Sequence, residues 1–366
     1  LNKKNILIVT SEFPPQPGGI GNHAYNLALY LSKNGYGVSV IADQRAKENN
    51  DERKFDKSLD FNVHRIVLRG FRPIMYCNRI FKTIKAYKQT DYVIATGKFS
   101  LWNVAFCSLF FKRSKLAVIH GTEVNFKLGT VKKAVDVSLK KFDTIVAVSN
   151  YTKQLINHLK MEVIVIPNGI AMEEWQIDNV PKTTLKGHPV LTTVGRVSTR
   201  KGQLNVIKLL PDLLKTFPKL QYHCIGIPTE ADNFVEHARA LGVYKHVNFH
   251  GAVSDSELKS MLLATNVFVM VSSESPTGDV EGFGIAILEA NALGIPSIGS
   301  KNCGIEDAIL DGKSGFLISG DSFSEFKTAL SLLLESQDFY KNEAIAWAKM
   351  HSWDEIIKRY ISVIEA

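Results

Sequence analysis

The sequence predicts an α/β protein made of two consecutive doubly wound parallel sheets. Three observations carry this expectation. Short uninterrupted apolar runs, such as Ile6–Val9 and Thr144–Val148, suit strands buried on both faces. Between them lie longer segments of helical periodicity, the pattern of βαβ units. The alternation halts at a polar stretch and then restarts, so 366 residues divide into two units of similar size.

In the first half the expected strands are Asn5–Thr10, Gly37–Ala42, Asn62–Leu68, Asp91–Thr96, Lys115–His120, Asp143–Ser149 and Glu162–Ile166. The helices between them are Gly21–Lys33, Arg72–Gln89, Lys98–Phe111, Val131–Lys141 and Tyr151–Lys160. Ile166-Pro167-Asn168-Gly169-Ile170 and the polar residues after it mark the boundary, so the domains are expected at 1–178 and 179–350. The second half repeats the scheme with strands Val190–Gly195, Gln221–Gly226, His246–His250, Asn266–Val271, Pro296–Gly299 and Gly315–Ile318. Its helices are Gly202–Lys215, Thr229–Leu241, Asp255–Ala264, Ile285–Leu293, Gly304–Leu310 and Phe323–Glu335. A helical tail with a break near His351-Ser352 closes the chain. Its last piece, 351–366, carries Trp353, Ile356, Ile357, Tyr360, Ile361 and Ile364 on one apolar face.

Composition narrows the function classes. Apolar residues at 45% and charged residues at 22% are those of an ordinary globular chain. Leu1–Asn5 reads as the lead into a strand rather than a signal peptide. The apolar run Phe99–Phe111 is too short to span a bilayer and reads as a buried helix. Cys77, Cys107, Cys224 and Cys303 show no CxxC spacing, which suits a reducing compartment and neither a disulfide framework nor a zinc site. Residues 1–180 hold 26 Lys and Arg against 15 Asp and Glu, and residues 181–366 hold 18 against 21. The basic first half points to an anionic surface or partner, or to a plain solvated face. Nucleic acid is not expected, because no recognisable recognition element carries the basic residues.

Doubly wound sheets bind ligands beyond the carboxyl ends of their strands. Five such loops stand out. After the first strand, Ser11–Gly21 ends in Pro17-Gly18-Gly19-Ile20-Gly21, a glycine run at a helix start that lets amides approach a phosphate. It is neither a P-loop nor a dinucleotide fingerprint. His120-Gly121-Thr122-Glu123 follows another strand, and His120 could donate to a hydroxyl or be structural. In Gly195-Arg196-Val197-Ser198-Thr199-Arg200-Lys201-Gly202, Arg196 and Lys201 can converge on a diphosphate, with Arg200 expected in solvent. His250–Asp255 could cradle a flat heterocycle or simply cap a helix. Finally, Ser272–Gly294 passes from polar loop through Gly282-Phe283-Gly284 into a helix. There Glu281 stands beside a helix start, with the amides of Phe283, Gly284 and Ile285 open to an anion, and Glu289 lies inside the helix. No Asp-x-Asp triplet occurs, so no metal site is expected and the chain's own cations would neutralise a leaving diphosphate.

Taken together, these residues resemble the retaining glycosyltransferases of the GT-B fold, family four. Glu281…Glu289, Gly195-Arg196…Lys201-Gly202, the Pro-Gly-Gly-Ile-Gly loop and His120-Gly121 come in that family's order over essentially the whole chain. Gly278-Asp279-Val280-Glu281-Gly282-Phe283-Gly284-Ile285 looks most like the GDP-mannose-using mannosyltransferases of the phosphatidylinositol mannoside type. The resemblance implies two facing Rossmann-like domains across a deep cleft. The first would be acceptor-binding and the second donor-binding, with the tail packing back on the first.

The same resemblance implies the roles of the residues. Arg196, Lys201 and the amides of Gly18, Gly19, Phe283 and Gly284 would hold the donor diphosphate, with Gly195, Gly282 and Ile285 also in the donor site. Glu281 and His120 would contact the transferred sugar, and Glu289 the ribose. Val253 would meet the base, with Asp255 at its edge. No metal or other cofactor is implied. The expected partners are a nucleotide sugar and a glycan or lipid-linked acceptor. The expected place is cytoplasmic, peripheral on the inner face of the membrane. Bases and aromatics interleave from Phe71-Arg72 to Lys88 and could seat the first domain on anionic lipid. A UDP-sugar-dependent transferase, a nucleotide-sugar 2-epimerase and a non-catalytic nucleotide-sugar-binding module are the alternatives.

Overall fold

A computed structural model describes residues 3–68, 70, 72–177, 180–275 and 277–366. Phe71, the side chain of Arg72, Pro276 and the expected boundary at Asp178-Asn179 lie outside what is described. The chain forms two compact units, Leu1–Gly169 with Trp353–Ala366, and Ile170–Ser352.

The first unit holds β1 (Asn5–Thr10), β2 (Gly37–Asp43), β3 (Asn62–Ile66), β4 (Tyr92–Thr96), β5 (Ser114–Ile119), β6 (Thr144–Ala147) and β7 (Ile164–Val165). They form one sheet in the order β3-β2-β1-β4-β5-β6-β7, parallel at every pairing. The apolar runs explain this, since every residue of β1 after Asn5 is buried. Its helices are α1 (Gly19–Lys33), α2 (Asn50–Lys57), α3 (Arg72–Tyr87), α4 (Lys98–Cys107), α5 (Gly129–Leu139) and α6 (Asn150–Gln154).

The second unit holds β8 (Val190–Val194), β9 (Gln221–Ile225), β10 (Val247–Gly251), β11 (Val267–Met270), β12 (Ser297–Ser300) and β13 (Gly315–Ile318), ordered β10-β9-β8-β11-β12-β13. Its helices are α7 (Gln203–Thr216), α8 (Ala231–Ala240), α9 (Asp255–Leu263), α10 (Ile285–Ala292), α11 (Phe323–Glu335) and α12 (Gln337–Met350). In each sheet the order reverses once, between β1 and β4 and between β8 and β11. A switch point of this kind opens a crevice beyond the strand ends, and the loops after β1, β8 and β11 leave from there.

The final helix, α13 (Trp353–Glu365), belongs to the first unit. Its Trp353, Ile356, Ile357, Tyr360 and Ile364 are buried, each contributing roughly 1.5–3 kcal/mol relative to exposure. Trp353 lies so close over Gly169 that a Cβ there would come within 2.8 Å of the indole. Tyr360 and Glu365 reach His23 and Tyr36 of the same unit, at 3.0 and 2.8 Å.

Several expectations need correction. The division falls at Gly169/Ile170, ahead of 178, because Ile170 already donates its amide to His351 at 2.8 Å in the second unit. Its return falls after Ser352, so His351 and Ser352 stay with the second unit. Gly304–Leu310 makes only a 3-10 turn, Gly304–Asp307, since the Leu310 amide is taken by Ser314 Oγ at 2.9 Å. Tyr151–Lys160 is likewise split into α6 and a 3-10 turn, Asn157–Leu159. The run Phe99–Phe111 is not one buried helix: α4 stops at Cys107, and Phe106, Leu109 and Phe110 are 44%, 61% and 61% exposed. Helix α2 was not expected. Phe55, packed against Phe13 and Tyr25, is its one apolar residue, and the rest of its hold is charge. Glu52 is buried and accepts the Arg45 amide at 2.8 Å, and Asp56 pairs with Arg65 at 2.7 Å.

Candidate active site

At the switch point of the second unit, the loop after β8 is pressed against the end of β11. Gly202 has φ 82°, and a Cβ on it would lie 2.0 Å from the Val271 carbonyl oxygen. No other residue type satisfies both demands. Val197 is buried, and a 3-10 turn, Thr199–Lys201, then presents two cations.

The expectation that Arg200 faces solvent is overturned here. Arg200 Nη1 lies 2.8 Å and Lys201 Nζ 2.6 Å from Glu281 Oε2, and Arg200 Nε lies 3.0 Å from Asp279. Successive residues of a 3-10 turn diverge by about 120°, and it is the length of the two side chains that lets Arg200 and Lys201 reach one target. Arg196 does not join them. Its side chain is exposed and forms no ion pair among the described residues, while its carbonyl accepts Gln203 Nε2 at 3.1 Å. Burial pushes the Glu281 carboxyl up, but Lys201 and Arg200 outweigh it and hold the group below the usual carboxylate range.

Glu281 lies in the loop, and α10 begins at Ile285 after Gly284 at φ 90°. The turn between them rests on the next loop. Gly304 donates its amide to the Glu281 carbonyl at 2.9 Å, and a Cβ on Gly304 would stand 2.0 Å from the Gly282 carbonyl oxygen. Gly282 and Phe283 are buried. The first turn of α10 contains no acidic residue, which leaves its positive dipole end open to an anion.

Inside α10, burial raises Glu289 to about 7, against the opposing pull of Lys201 and aided by Glu174 and Asp255. Asp255 is exposed at the start of α9, and the cap there is Ser254, in a capping box with Glu257. Asp255 is thus free of the capping role that the sequence left open. Val253 precedes the cap, and Lys259 lies 5.7 Å from the ring of Trp175. His250, at the end of β10, stacks on buried His223 with 2.9 Å between ring nitrogens.

In the first unit His120 directly follows β5 and bonds Thr96, at the end of β4, through Nε2 and Oγ1 at 2.8 Å. Burial pushes its imidazole down to about 3, so it is neutral at physiological pH. Its ring meets the edge of His23 at 4.9 Å, and His23 in turn meets Tyr360 of α13. Glu123 accepts the His120 amide and is pushed up to about 7 by burial. The glycine loop folds over Glu12: a Cβ on Gly18 would sit 2.3 Å from its carboxylate, whereas Gly19 has open space around it.

Arg200, Lys201 and Glu281 are therefore in direct contact, with Glu289 and Asp255 in electrostatic reach of one another. Sequence reasoning missed Arg200, Glu123, His23 and Thr96. Of these, Arg200 carried a signal as a cation of the Gly195–Gly202 loop, and Glu123 as the last residue of the His120 turn; His23 and Thr96 carried none. No group of three His, Cys, Asp or Glu able to hold a metal occurs among the described residues.

Residues 17–174 match the model described as Glycosyltransferase Family 4, and residues 176–349 match Glycosyl transferases group 1. The chain is a family-four glycosyltransferase. It is an enzyme of hexosyl transfer, with two Rossmann-like units of the GT-B class.

A relative of this glycosyltransferase is the GDP-mannose-dependent alpha-(1-6)-phosphatidylinositol monomannoside mannosyltransferase of Mycolicibacterium smegmatis. It is 26% identical over 352 residues, covering 90% of this chain and 89% of the relative. The glycogen synthase of Mycobacterium tuberculosis is 25% identical over 351 residues, covering 85% and 81%. Among solved structures, Anabaena HepE in complex with UDP aligns at TM-score 0.79 and 16% identity over 99% of each chain. At that identity the likeness shows the fold alone.

Proposed function

We propose that this glycosyltransferase moves an α-mannosyl residue from GDP-mannose to a lipid-linked or cell-surface glycan acceptor, with retention and without a metal. The observation that carries the donor reading is the charge arrangement at the β8–β11 switch point. Two cations meet one carboxylate beside a helix start, and Arg196 stands free at the rim. Lys201 and Arg196 neutralise the departing diphosphate, as do the amides at the start of α10. Glu281 accepts hydrogen bonds from sugar hydroxyls, Glu289 from the ribose diol, and Val253 with Asp255 faces the base. His120, being neutral, can donate to a hydroxyl without adding charge near a developing oxocarbenium ion. The bond from the anomeric carbon to phosphate oxygen breaks and the bond to the acceptor oxygen forms on the same face. The acceptor proton passes to the leaving phosphate, so no side chain is needed as nucleophile.

The choice of mannose rests on the relatives named for GDP-mannose. A thermal-shift series with GDP-, UDP-, ADP- and dTDP-sugars tests it, followed by product analysis. Stabilisation by GDP-mannose and transfer unaffected by chelator are expected. A preference for UDP-sugars overturns the donor, and epimer formation without acceptor overturns the transferase.

The membrane surface belongs to the same reading. Phe106, Leu109 and Phe110 are exposed immediately before exposed Lys112 and Arg113, in the basic half of the chain. No helix among the described residues is long and apolar enough to cross a membrane. Attachment to the cytoplasmic face through this patch would appear as salt-sensitive binding to anionic vesicles.

A further inference from the structure

Two cations act on one oxygen of Glu281. Lys201 and Arg200 both donate to Oε2, at 2.6 and 2.8 Å, and no described residue donates to Oε1. Arg200 is also held on two other sides. Its Nε pairs with Asp279 at 3.0 Å, and its carbonyl accepts the Ser273 amide at 3.0 Å. The planar guanidinium therefore spans the loop after β11 from Asp279 to Glu281, a fixed geometry that a flexible ammonium does not impose.

The four charges of this cluster cancel. On the donor reading above, which this inference rests on, that balance changes when a diphosphate arrives and draws on Lys201. The Glu281 side chain is only 13% exposed. Left there without a cation it would carry an uncompensated desolvation cost, and it would take up a proton. Arg200 cannot follow Lys201 to the phosphate without abandoning Asp279 as well.

We propose that Arg200 is a positioning residue for the transferred sugar, remaining as the counter-ion of Glu281 while Lys201 engages the diphosphate. It thereby keeps the carboxylate oriented, with Oε1 open to accept hydrogen bonds from sugar hydroxyls. Two adjacent cations on one oxygen thus divide the donor between them. Lys201 reads the phosphate, and Arg200 acts through Glu281 on the sugar.

The test is calorimetric, with GDP against GDP-mannose and UDP against UDP-glucose as probe pairs. For each protein the readout is the ratio of the bare nucleotide's Kd to that of its sugar nucleotide. In the wild type this ratio should stay flat between about pH 6 and 8, because Glu281 remains ionised. Arg200→Met should lower it about tenfold while the bare nucleotide's Kd changes by less than about twofold. Its ratio should fall further as pH drops, since Glu281 then takes up a proton. Arg200→Lys keeps the charge without the fork, and Asp279→Asn releases one arm. Each should lose about threefold and keep the flat pH profile. Equal losses on bare and sugar nucleotides, or an unchanged ratio in Arg200→Met, overturn the proposal. Should Arg200→Met fail to fold by thermal melt, unchanged ratios in the other two variants overturn it. A wild type with no sugar-dependent affinity for either pair defeats the donor reading itself, and shows this before any substitution is made.

Discussion

Replacing Glu123 by Gln should stabilise the first unit at alkaline pH and leave it nearly unchanged in mild acid. Glu123 is 2% exposed, with Oε1 accepting the His120 amide and Oε2 buried without a partner. Burial raises its carboxyl from 4.5 to about 7, and Glu12 opposes its ionisation further. A group raised in this way contributes stability that is complete below 4.5 and lost as pH climbs through about 7. At about 1.4 kcal/mol per pH unit, full ionisation forgoes about 3 kcal/mol. Glutamine keeps the amide acceptor and cannot ionise, so the variant should gain up to about 3 kcal/mol at pH 8, a melting shift of roughly 6–12 °C. At about pH 4, below the unfolded value, the two proteins should agree within about 0.5 kcal/mol. Urea or thermal melts across this range decide the matter. A variant destabilised equally at both ends would mean that Glu123 is ionised in the fold and that its charge is used, refuting the argument.

Glu289→Gln should weaken bare and sugar nucleotides alike, by about tenfold at pH 8 and little at pH 6, because the native carboxyl, raised to about 7, is itself mostly neutral there. Titration calorimetry at the two pH values checks this. Tyr360→Phe removes the 3.0 Å partner of His23 Nε2, whose Nδ1 already lacks one. A cost of about 1–3 kcal/mol to the first unit is expected in thermal melts, with reduced turnover because His23 buttresses His120. Gly304→Ala places a Cβ 2.0 Å from the Gly282 carbonyl oxygen. The Glu281–Gly284 turn must shift, and calorimetry should show donor affinity falling by more than about tenfold.

The elements were largely legible because their causes are local. Strands β1 and β13 lie where their apolar runs place them, at Asn5–Thr10 and Gly315–Ile318, and α10 begins where Gly284 permits a left-handed turn. Elements held by charge or by shared groups were not. Helix α2 depends on Arg45 and Arg65 meeting Glu52 and Asp56, and the Gly304 turn on Ser314 taking the Leu310 amide. Neither partnership leaves a periodic trace.

At the site, residue types and order alone pointed to a phosphate-and-hydroxyl ligand: glycines at strand ends, Arg196 and Lys201 across a turn, two glutamates around a helix start. Those signals lie within single loops, where backbone geometry and charge type suffice. The tertiary structure decided the partnerships between loops. It turned Arg200 inward onto Asp279 and Glu281, set His23 of α1 and Tyr360 of α13 behind His120, and buried Glu123 until its carboxyl favours the proton. Each of these depends on groups far apart in sequence and on how much water the fold removes. Desolvation belongs to the packed chain, so no reading along the sequence could supply it.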